Sequence, residues 1–300
     1  MLKKKFTLSW PNKLLIFCLC FATAERICYR LTDGFWMSKV TSSLKPDPRW
    51  DVEPLNPEKA QLVDRILDQP FRYLGSGGEC YVFLSQDQKT VMKVFKHYRM
   101  RANLFCKHWP LPGPVKKYVD SHQERFERIF TSCKLAYEEL RHETALIYVH
   151  LNKTQHLKKT MSLTDKLGIV HQVDLDKLEF VLQERADLLF PKLDQLIRSG
   201  EEDKAKQMID SLVHLLIARC KKGVADGDPA LKRNFACLED RVIGLDIGPY
   251  TKDPYLREER AWKREVFCET LKLRNWVKKN HPALFAEVNA KIDATIFLTH

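Results

Sequence analysis

Apolar and polar positions alternate along residues 71–96, a segment rich in β-branched and aromatic side chains. Such alternation is typical of strands that bury one face. Three runs, FRYLG, CYVFLS and TVMKVFK, are separated by a glycine-rich segment and by the polar sequence QDQK. The pattern predicts three antiparallel strands. Two later runs, LGIVHQVDL and LEFVLQERA, flank Asp176 and Lys177 and predict a further hairpin.

Apolar residues spaced by three and four positions indicate helices elsewhere in the chain. This spacing extends over residues 120–151 and 203–223, where Gly223 can end the second helix. It also predicts a short helix at 60–69 and a helical tail over residues 255–292. Strands thus precede most of the helices. We expect an α+β fold of two lobes, an antiparallel-sheet lobe followed by a short, mainly helical lobe.

The same patterns set the expected domain boundaries. Residues 38–60 contain four prolines and no apolar period, which predicts a linker. The four expected units are an N-terminal targeting or anchoring segment at 1–37, the linker at 38–60, the sheet lobe with a helical insertion at 61–190, and the helical lobe with the loops that carry chemistry at 191–300.

The N-terminal segment leaves three interpretations open. A basic start precedes an apolar stretch from Leu14 to Ala24, and Ala22-Thr23-Ala24 resembles a cleavage site for a signal peptide. The stretch is about half of the ~20 residues that a spanning helix needs. A signal peptide, a short anchor reaching Cys28 and a true start at Met37 all remain possible, and residues 12–30 are a candidate for membrane association.

Composition narrows the class of protein. The chain has 300 residues, of which 44% are hydrophobic, and a net charge of +11, so we expect a globular protein that favours an anionic partner. It has neither the aromatic-basic signature of RNA-binding modules nor zinc-finger spacing, and no nucleic acid is expected. The nine cysteines are scattered, which argues against a disulfide framework and a zinc site. The basic segment 96–117 is interpreted as a solvated surface, with an anionic lipid or substrate as the alternative.

Candidate chemistry begins with the glycine segment and a lysine. Gly75, Ser76, Gly77 and Gly78 allow the backbone to approach an anion closely, although glycine-rich hairpins without a ligand are common. Lys93 lies among apolar residues in the middle of the third predicted strand. A buried ammonium group requires an anion, whereas a lysine on an edge strand can reach solvent.

A second group of polar residues follows the helix at 203–223. Asp226, Asp228, Asn234 and Asp246 lie in two loops that flank short apolar runs. Carboxylate and amide oxygens are the ligands that Mg²⁺ prefers, but aspartate and asparagine are also the usual capping residues of turns.

In this order and spacing, the motifs resemble those of the protein-kinase-like superfamily over residues 71–250. Gly75, Gly77 and Val82 match the phosphate loop G-x-G-x-x-G-x-V, with Cys80 at the third glycine. TVMK stands for the lysine strand, and LDIG, with Ile247 in place of phenylalanine, stands for D-F-G. The short tail after Gly248 is similar to compact, atypical bacterial members, such as lipopolysaccharide-core sugar kinases and minimal atypical protein kinases.

The resemblance implies a role for each matching residue. Gln183, Glu184 and Arg185 of the run FVLQERA would lie beside the adenine of ATP. Lys93, paired with Glu143 or, one turn earlier, Glu139, would hold the α- and β-phosphates. The remaining roles are Mg²⁺ binding by Asn234 and Asp246 and orientation or deprotonation of the acceptor hydroxyl by Asp228 or Asp226.

The resemblance implies an ATP- and Mg²⁺-dependent phosphotransferase that acts on a sugar, lipid or protein hydroxyl. Six positions separate Asp228 from Asn234 along the chain, where kinases have a spacing of five. A pseudokinase that serves as a nucleotide-binding or membrane-associated module is therefore the alternative, and an adaptor that binds no nucleotide is the third. Use of ATP favours a membrane-associated or cytoplasmic protein, with delivery into another cell as a further option.

Overall fold

Seven strands form one mixed sheet in the computed structural model, which describes residues 9–42, 44–100 and 113–298. Their order is β4-β7-β3-β2-β1-β5-β6, and only the β1–β5 pair is parallel. The strands are β1 (Phe71–Ser76), β2 (Cys80–Ser85), β3 (Thr90–Phe95), β4 (Leu146–His150), β5 (Thr160–Thr164), β6 (Val170–Asp174) and β7 (Phe180–Glu184). We call residues 71–184 the sheet part; β1, β2 and β3 confirm the three predicted antiparallel strands.

Short strands and helices complete an α+β fold. The remaining strands are β8 (Asp187–Leu188), β9 (Val224–Asp226), β10 (Phe235–Leu238), β11 (Arg241–Gly244) and β12 (Tyr250–Lys252). They form a sheet of β11-β10-β8 and a pair of β12 with β9. The helices are α1 (Trp10–Thr32), α2 (Met37–Val40), α3 (Pro57–Leu67), α4 (Gly113–Glu139), α5 (Arg141–Thr144), α6 (Leu189–Arg198), α7 (Glu202–Lys221), α8 (Leu231–Asn234), α9 (Glu259–Asn280) and α10 (Pro282–Leu298).

The helix predicted over residues 120–151 is wrong at its C-terminal end. Helix α4 ends at Glu139, and after the short α5 the chain enters β4. Ala145 has a left-handed backbone with φ of 50°, which stops the helix. The following sequence, LIYVH, contains β-branched and aromatic residues that suit a strand, and it pairs with β7. Short apolar runs of this kind satisfy both periodicities.

The hairpin predicted around Asp176 and Lys177 is also wrong. Strand β6 pairs with β5, whereas β7 lies between β3 and β4. Asp176 has a different role, because its carboxylate accepts hydrogen bonds from the backbone N–H groups of Leu157 and Lys158 at 3.1 and 2.7 Å. It therefore fixes the loop that precedes β5 and does not occupy a hairpin turn.

The predicted linker at 38–60 contacts helix α4. It contains α2, a 3₁₀ turn at Pro48–Trp50 and the start of α3. Trp50 is buried, and its ring packs edge-on against Phe126 and Phe130 at centroid distances of 5.6 and 5.4 Å. Arg49 forms an ion pair with Glu127 of α4. The segment therefore contributes to the core between the sheet and α4.

Helix α1 stands out because none of its residues is buried. Phe17 and Phe21 are 66% and 67% exposed, and most of its other apolar side chains are exposed as well. The residues just after α1 pack against the sheet part. Phe35 is buried against Tyr81 and Phe83, and the Tyr81 hydroxyl donates to the Gly34 carbonyl at 2.7 Å. None of the described helices is long and apolar enough to cross a bilayer.

The helical part, which we define as residues 189–298, packs around α7. Helices α6, α9 and α10 all contact it. Its apolar core includes Leu212, Leu216, Val266, Leu273 and Val288. The predicted helices at 203–223 and in the C-terminal tail are confirmed, and Gly223 follows the first of them with φ of +72°.

We expect Gly223→Ala to lower the free energy of unfolding by more than the ~1–2 kcal/mol that a left-handed alanine costs. A Cβ atom at this position would lie 3.3 Å from the Asp253 carbonyl and 2.9 Å from Arg257 Nε. Gly168→Ala is the matched control, because Gly168 also has a positive φ but a Cβ there would meet nothing within 4 Å. Urea unfolding of both variants measures the difference, and equal losses would show that crowding at Gly223 has no cost.

Candidate active site

Lys93 lies at the centre of β3, paired with Val82 of β2 and Val181 of β7. Its ammonium group is partly buried and donates a hydrogen bond to the Leu245 carbonyl at 2.5 Å. Burial lowers the pKa of Lys93, and Asp246 partly offsets this effect. The lysine therefore joins the middle of the sheet to the loop that follows β11.

The surroundings of Lys93 include two thiols. Cys80 of β2 and Cys133 of α4 are close enough to influence its charge. Burial raises the pKa of Cys80 to about 12 and raises that of Cys133 well above its usual value, so both thiols are neutral near pH 7. Of the acidic residues that the structure describes, Asp246 is the one carboxylate with a marked effect on the Lys93 charge.

The predicted ion pair between Lys93 and Glu143 does not form in the structure. Glu143 lies in α5, and its Oε1 accepts a hydrogen bond from Lys222 Nζ at 2.5 Å. Glu139 is paired with Lys252. The prediction placed Glu143 in the middle of a long helix, whereas the chain has already left α4 at that point. Cys133 is the α4 residue that approaches Lys93.

The glycine segment connects β1 and β2 and is largely exposed. A Cβ atom on Gly75 or Gly78 would meet nothing within 4 Å, and on Gly77 only the Cys80 carbonyl at 3.8 Å. Neither crowding nor a positive φ thus requires glycine at these three positions. The glycines leave the surface of the turn open to an approaching group, which is the property that an anion-binding loop needs.

Two cations that the sequence did not single out hold this segment. Lys96 Nζ donates to Ser76 Oγ and to the Gly77 carbonyl, both at 2.6 Å, and lies 4.5 Å from the centroid of the Tyr81 ring. Arg99 donates to the Gly78 carbonyl at 2.8 Å. Both follow directly after β3, in the sequence KHYR. They begin the predicted basic segment 96–117, of which residues 101–112 lie outside the described residues.

Asp226 and Asp228 occupy different environments at the end of β9. Asp226 is buried; its Oδ2 lies 3.3 Å from Arg219 Nη1, and its Oδ1 accepts the backbone N–H of Asp228 at 2.9 Å. Asp228 is exposed, and its carboxylate lies 3.5 Å from Arg233. Burial raises the pKa of Asp226. The two acids therefore differ in accessibility, although the sequence could not separate them.

Asn234 and Asp246 lie on neighbouring segments. The Leu245 N–H donates to the Asn234 carbonyl at 2.7 Å, which sets the two side by side. Asn234 Nδ2 donates to the Asp228 carbonyl at 2.8 Å, and Asp246 Oδ1 accepts the Gly248 N–H at 3.0 Å. The expected capping of a turn by Asp246 thus occurs and uses one carboxylate oxygen.

The donor set fits Mg²⁺ only in part. One oxygen each from Asn234 and Asp246 leaves the remaining positions to phosphate and water, an arrangement typical of Mg²⁺. Among the described residues no three or more histidine, cysteine, aspartate or glutamate side chains are grouped to hold a metal.

A buried serine on α4 fixes the segment after Asp246. Ser132 Oγ donates to the Ile247 carbonyl at 2.5 Å and accepts the Tyr250 N–H at 2.7 Å. Tyr250 begins β12, which pairs with β9. Ser132 therefore links the sheet-side helix to the loop that carries Asp246. The sequence offered no signal for it beyond a polar residue on an apolar helix face.

The three residues predicted to lie beside adenine occupy three separate environments. They are Gln183, Glu184 and Arg185. Gln183 is fully buried, and its amide nitrogen donates to the carbonyls of Thr144 and Gly244 at 2.6 and 3.0 Å. Glu184 lies 4.0 Å from Arg241. Arg185 donates to Gln88 at 3.0 Å. The side-chain amide nitrogen of Gln183 is thus already bonded within the protein, to α5 and to β11.

No protein-family model and no curated protein sequence matches this chain. The arrangement of its side chains is therefore the basis for assigning a function. Asp246 lies close enough to Lys93 to influence its charge, Asn234 adjoins the segment of Asp246, and Asn234 Nδ2 also donates to the Asp228 carbonyl.

Beneath Asp226, Glu269 of α9 is buried beside Arg219, with Asp226, Glu265, Cys220 and Tyr250 as its other titratable neighbours. Burial raises the pKa of Glu269 to about 7. The folded protein then retains a proton that the unfolded chain releases near pH 4.5, so the free energy of unfolding should fall as pH rises from there to 7. The slope is at most about 1.4 kcal/mol per pH unit.

Glu269→Gln should flatten this dependence, which chemical unfolding between pH 5 and 8 measures. Glu265→Gln, on the same helix one turn earlier, is the comparison variant. It removes only the weakest of the contributions that raise the pKa of Glu269, so it should keep most of the wild-type slope. An unchanged slope in Glu269→Gln would show that Glu269 does not take up this proton.

Proposed function

We propose that this chain is an ATP- and Mg²⁺-dependent phosphotransferase with a kinase-like, two-lobed fold. It would transfer the γ-phosphate of ATP to a hydroxyl group of a sugar, a lipid or a protein. The observation that carries the proposal is the environment of Lys93. Its ammonium group is partly buried, bonded to a backbone carbonyl and flanked by neutral thiols. Burying an ammonium group costs free energy unless an anion lies beside it.

The surrounding residues support a phosphate as that anion. Lys93 lies on β3, whose neighbour β2 emerges from the glycine segment, so both can face the same phosphate chain. Val82, paired with Lys93, is partly exposed beneath this segment. Asp246 approaches Lys93 from the other side, next to Asn234. Mg²⁺ bound by Asn234 and Asp246 would neutralise phosphate charge there.

We assign the role of base to Asp228. Asp226 uses one oxygen for Arg219 and the other for the Asp228 N–H, and it is buried. Asp228 presents an exposed carboxylate to an acceptor. In the proposed reaction the acceptor hydroxyl oxygen forms a bond to the γ-phosphorus, the bond to the β-phosphate oxygen breaks, ADP leaves, and the hydroxyl proton passes to Asp228.

A nucleotide-binding pseudokinase is the second candidate. It is favoured by Cys133, because the residue of α4 that approaches Lys93 is a neutral thiol where the kinase pattern has a glutamate. Both candidates bind nucleotide, and release of ADP from Mg·ATP separates them.

Mg·ATP should stabilise the wild-type chain by about 2.7 kcal/mol at 100 times its dissociation constant, a shift of a few degrees in Tm. Lys93→Met and Asp246→Asn should both lose this shift. Lys93→Met should also be at least as stable as wild type without ligand, because a desolvated ammonium is removed. Thermal unfolding of the full chain with and without Mg·ATP measures both effects.

Lys89→Met is the control for this experiment, since Lys89 is exposed in the turn between β2 and β3 and should keep the full shift. A folded wild-type chain that shows no shift with Mg·ATP would exclude the proposed function. A shift that survives in Lys93→Met would exclude the proposed site.

We also propose that α1 binds the surface of an anionic membrane. Its apolar residues 14–24 are exposed on all sides, and Lys13, Arg26 and Arg30 lie at the two ends of this stretch. Exposed apolar surface of this extent marks an interaction site, and flanking cations favour anionic headgroups. The interface, not the bilayer interior, suits a stretch that is about half the length of a spanning helix.

The full chain should therefore sediment with vesicles of phosphatidylcholine and phosphatidylserine, and less with phosphatidylcholine alone. Phe17→Ser with Phe21→Ser should weaken binding at least about tenfold, because each buried phenylalanine contributes roughly 1.5–3 kcal/mol. Phe297→Ser, at another exposed phenylalanine, should bind as wild type does. Equal sedimentation of the wild-type chain with and without vesicles would contradict the proposal.

A further inference from the structure

Three charged side chains are buried together beneath the loop of Asp228. Arg219 of α7 is 1% exposed, and its Nη2 lies 2.6 Å from Glu269 Oε1. Its Nη1 lies 3.3 Å from Asp226 Oδ2. The three residues come from α7, α9 and β9, so one guanidinium group joins two helices of the helical part to the strand that leads into the loop.

This cluster is an expensive way to hold a core together. Removing each charge from water costs several kcal/mol, and apolar residues of similar size are often equally good or better for stability. The two carboxylates outnumber the one cation, and the core around α7 is otherwise strongly apolar. Stability alone therefore gives no reason for the cluster, and one of its members, Asp226, is hydrogen-bonded to the loop.

The cluster ends on the backbone of Asp228. Asp226 turns one oxygen toward Arg219 and the other toward the Asp228 N–H. On the far side of the same residue, Asn234 donates to the Asp228 carbonyl. The N–H and the C=O of Asp228 are thus both held, which fixes the direction in which its exposed carboxylate projects.

We propose that Arg219 is a positioning residue, which acts through Asp226 to hold Asp228 in place for phosphoryl transfer. This inference rests on the proposed function. A guanidinium group suits the task because its planar fork reaches two carboxylates at once, which a lysine ammonium cannot do in the same geometry. Orientation matters here, since a displacement of about 1 Å can cost about 10²-fold in rate.

The decisive variant is Arg219→Met combined with Glu269→Met in the full chain. It replaces the guanidinium group and the carboxyl group beside it with apolar groups of similar size, and it leaves the buried Asp226 without its cation. The matched control is Arg274→Met with Asp293→Met, which removes an ion pair of 2.8 Å between α9 and α10. Three quantities are measured: hydrogen exchange of the Asp228 amide, release of ADP from Mg·ATP, and the Tm shift with Mg·ATP.

The Arg219 and Glu269 double variant should exchange the Asp228 amide at least about tenfold faster than the control and release ADP about 10- to 100-fold more slowly. Its Tm shift with Mg·ATP should persist, because Lys93, Asn234 and Asp246 are unchanged. A folded double variant whose amide exchange and ADP release both equal those of the control would overturn the proposal.

If the double variant does not fold, Arg219→Lys replaces it, with the same expected and contrary results, because it keeps the charge but not the fork. Failure of the proposed function would be seen in the wild-type chain, not in the variants. A wild-type chain without a Tm shift and without ADP release rejects phosphoryl transfer and with it this role of Arg219, whatever the exchange of the Asp228 amide shows.

Discussion

The segment from Leu245 to Tyr250 is the constraint on which the candidate site depends. Its Leu245 carbonyl accepts from Lys93, and its Leu245 N–H donates to Asn234. Further along, the Ile247 carbonyl and the Tyr250 N–H are both bonded to Ser132 of α4. Six residues are therefore fixed from the sheet, from α4 and from the helical part at once. A movement of any of these elements would change the distance between Lys93 and Asp246.

The sheet could be predicted where the sequence alternates regularly, and β1 to β3 follow that pattern. The pattern failed at β4, which was predicted as helix, because its side chains are buried without alternation. At β7 it predicted the strand but not the partner, which local sequence does not specify. The break at Ala145 was equally hidden, since a left-handed alanine has no sequence signal comparable to glycine. Glu143 was assigned to the long helix as well, although α4 ends at Glu139 and Glu143 lies in the short α5.

Local sequence also predicted only part of the candidate site. A lysine among apolar residues and acids beside short strands can be recognised because their burial or turn chemistry is unusual. The partners of these residues could not be recognised, because Lys96, Arg219 and Ser132 act over long sequence separations and look like ordinary surface or helix residues. The difference between Asp226 and Asp228 likewise depends on burial, which two residues of spacing do not reveal.

Buried polar side chains serve different purposes in the two parts of the chain. His97 and Glu179 are both buried, with His97 Nε2 3.1 Å from Glu179 Oε2, and His97 lies beside the rings of Phe95 and Phe130. They join the end of β3 to the start of β7. Arg219 has two carboxylates and transmits its contact to a loop that is exposed. The contact of His97 with Glu179 ends in the core, whereas the cluster of Arg219 continues through Asp226 to the backbone of Asp228.

The neutral thiols around Lys93 bear on what the site would bind. A lysine that already has a carboxylate on each side is neutralised before any ligand arrives, and an added phosphate must compete with those carboxylates. Among the residues that the structure describes, Asp246 is the one carboxylate in this role, and it also uses an oxygen for the Gly248 N–H. More of the ammonium charge is therefore left for the ligand. With Cys133 in place of a carboxylate, Lys93 would be held less firmly by the protein but would attract phosphate more strongly. Both proposed functions, the active phosphotransferase and the pseudokinase, require such binding of a nucleotide.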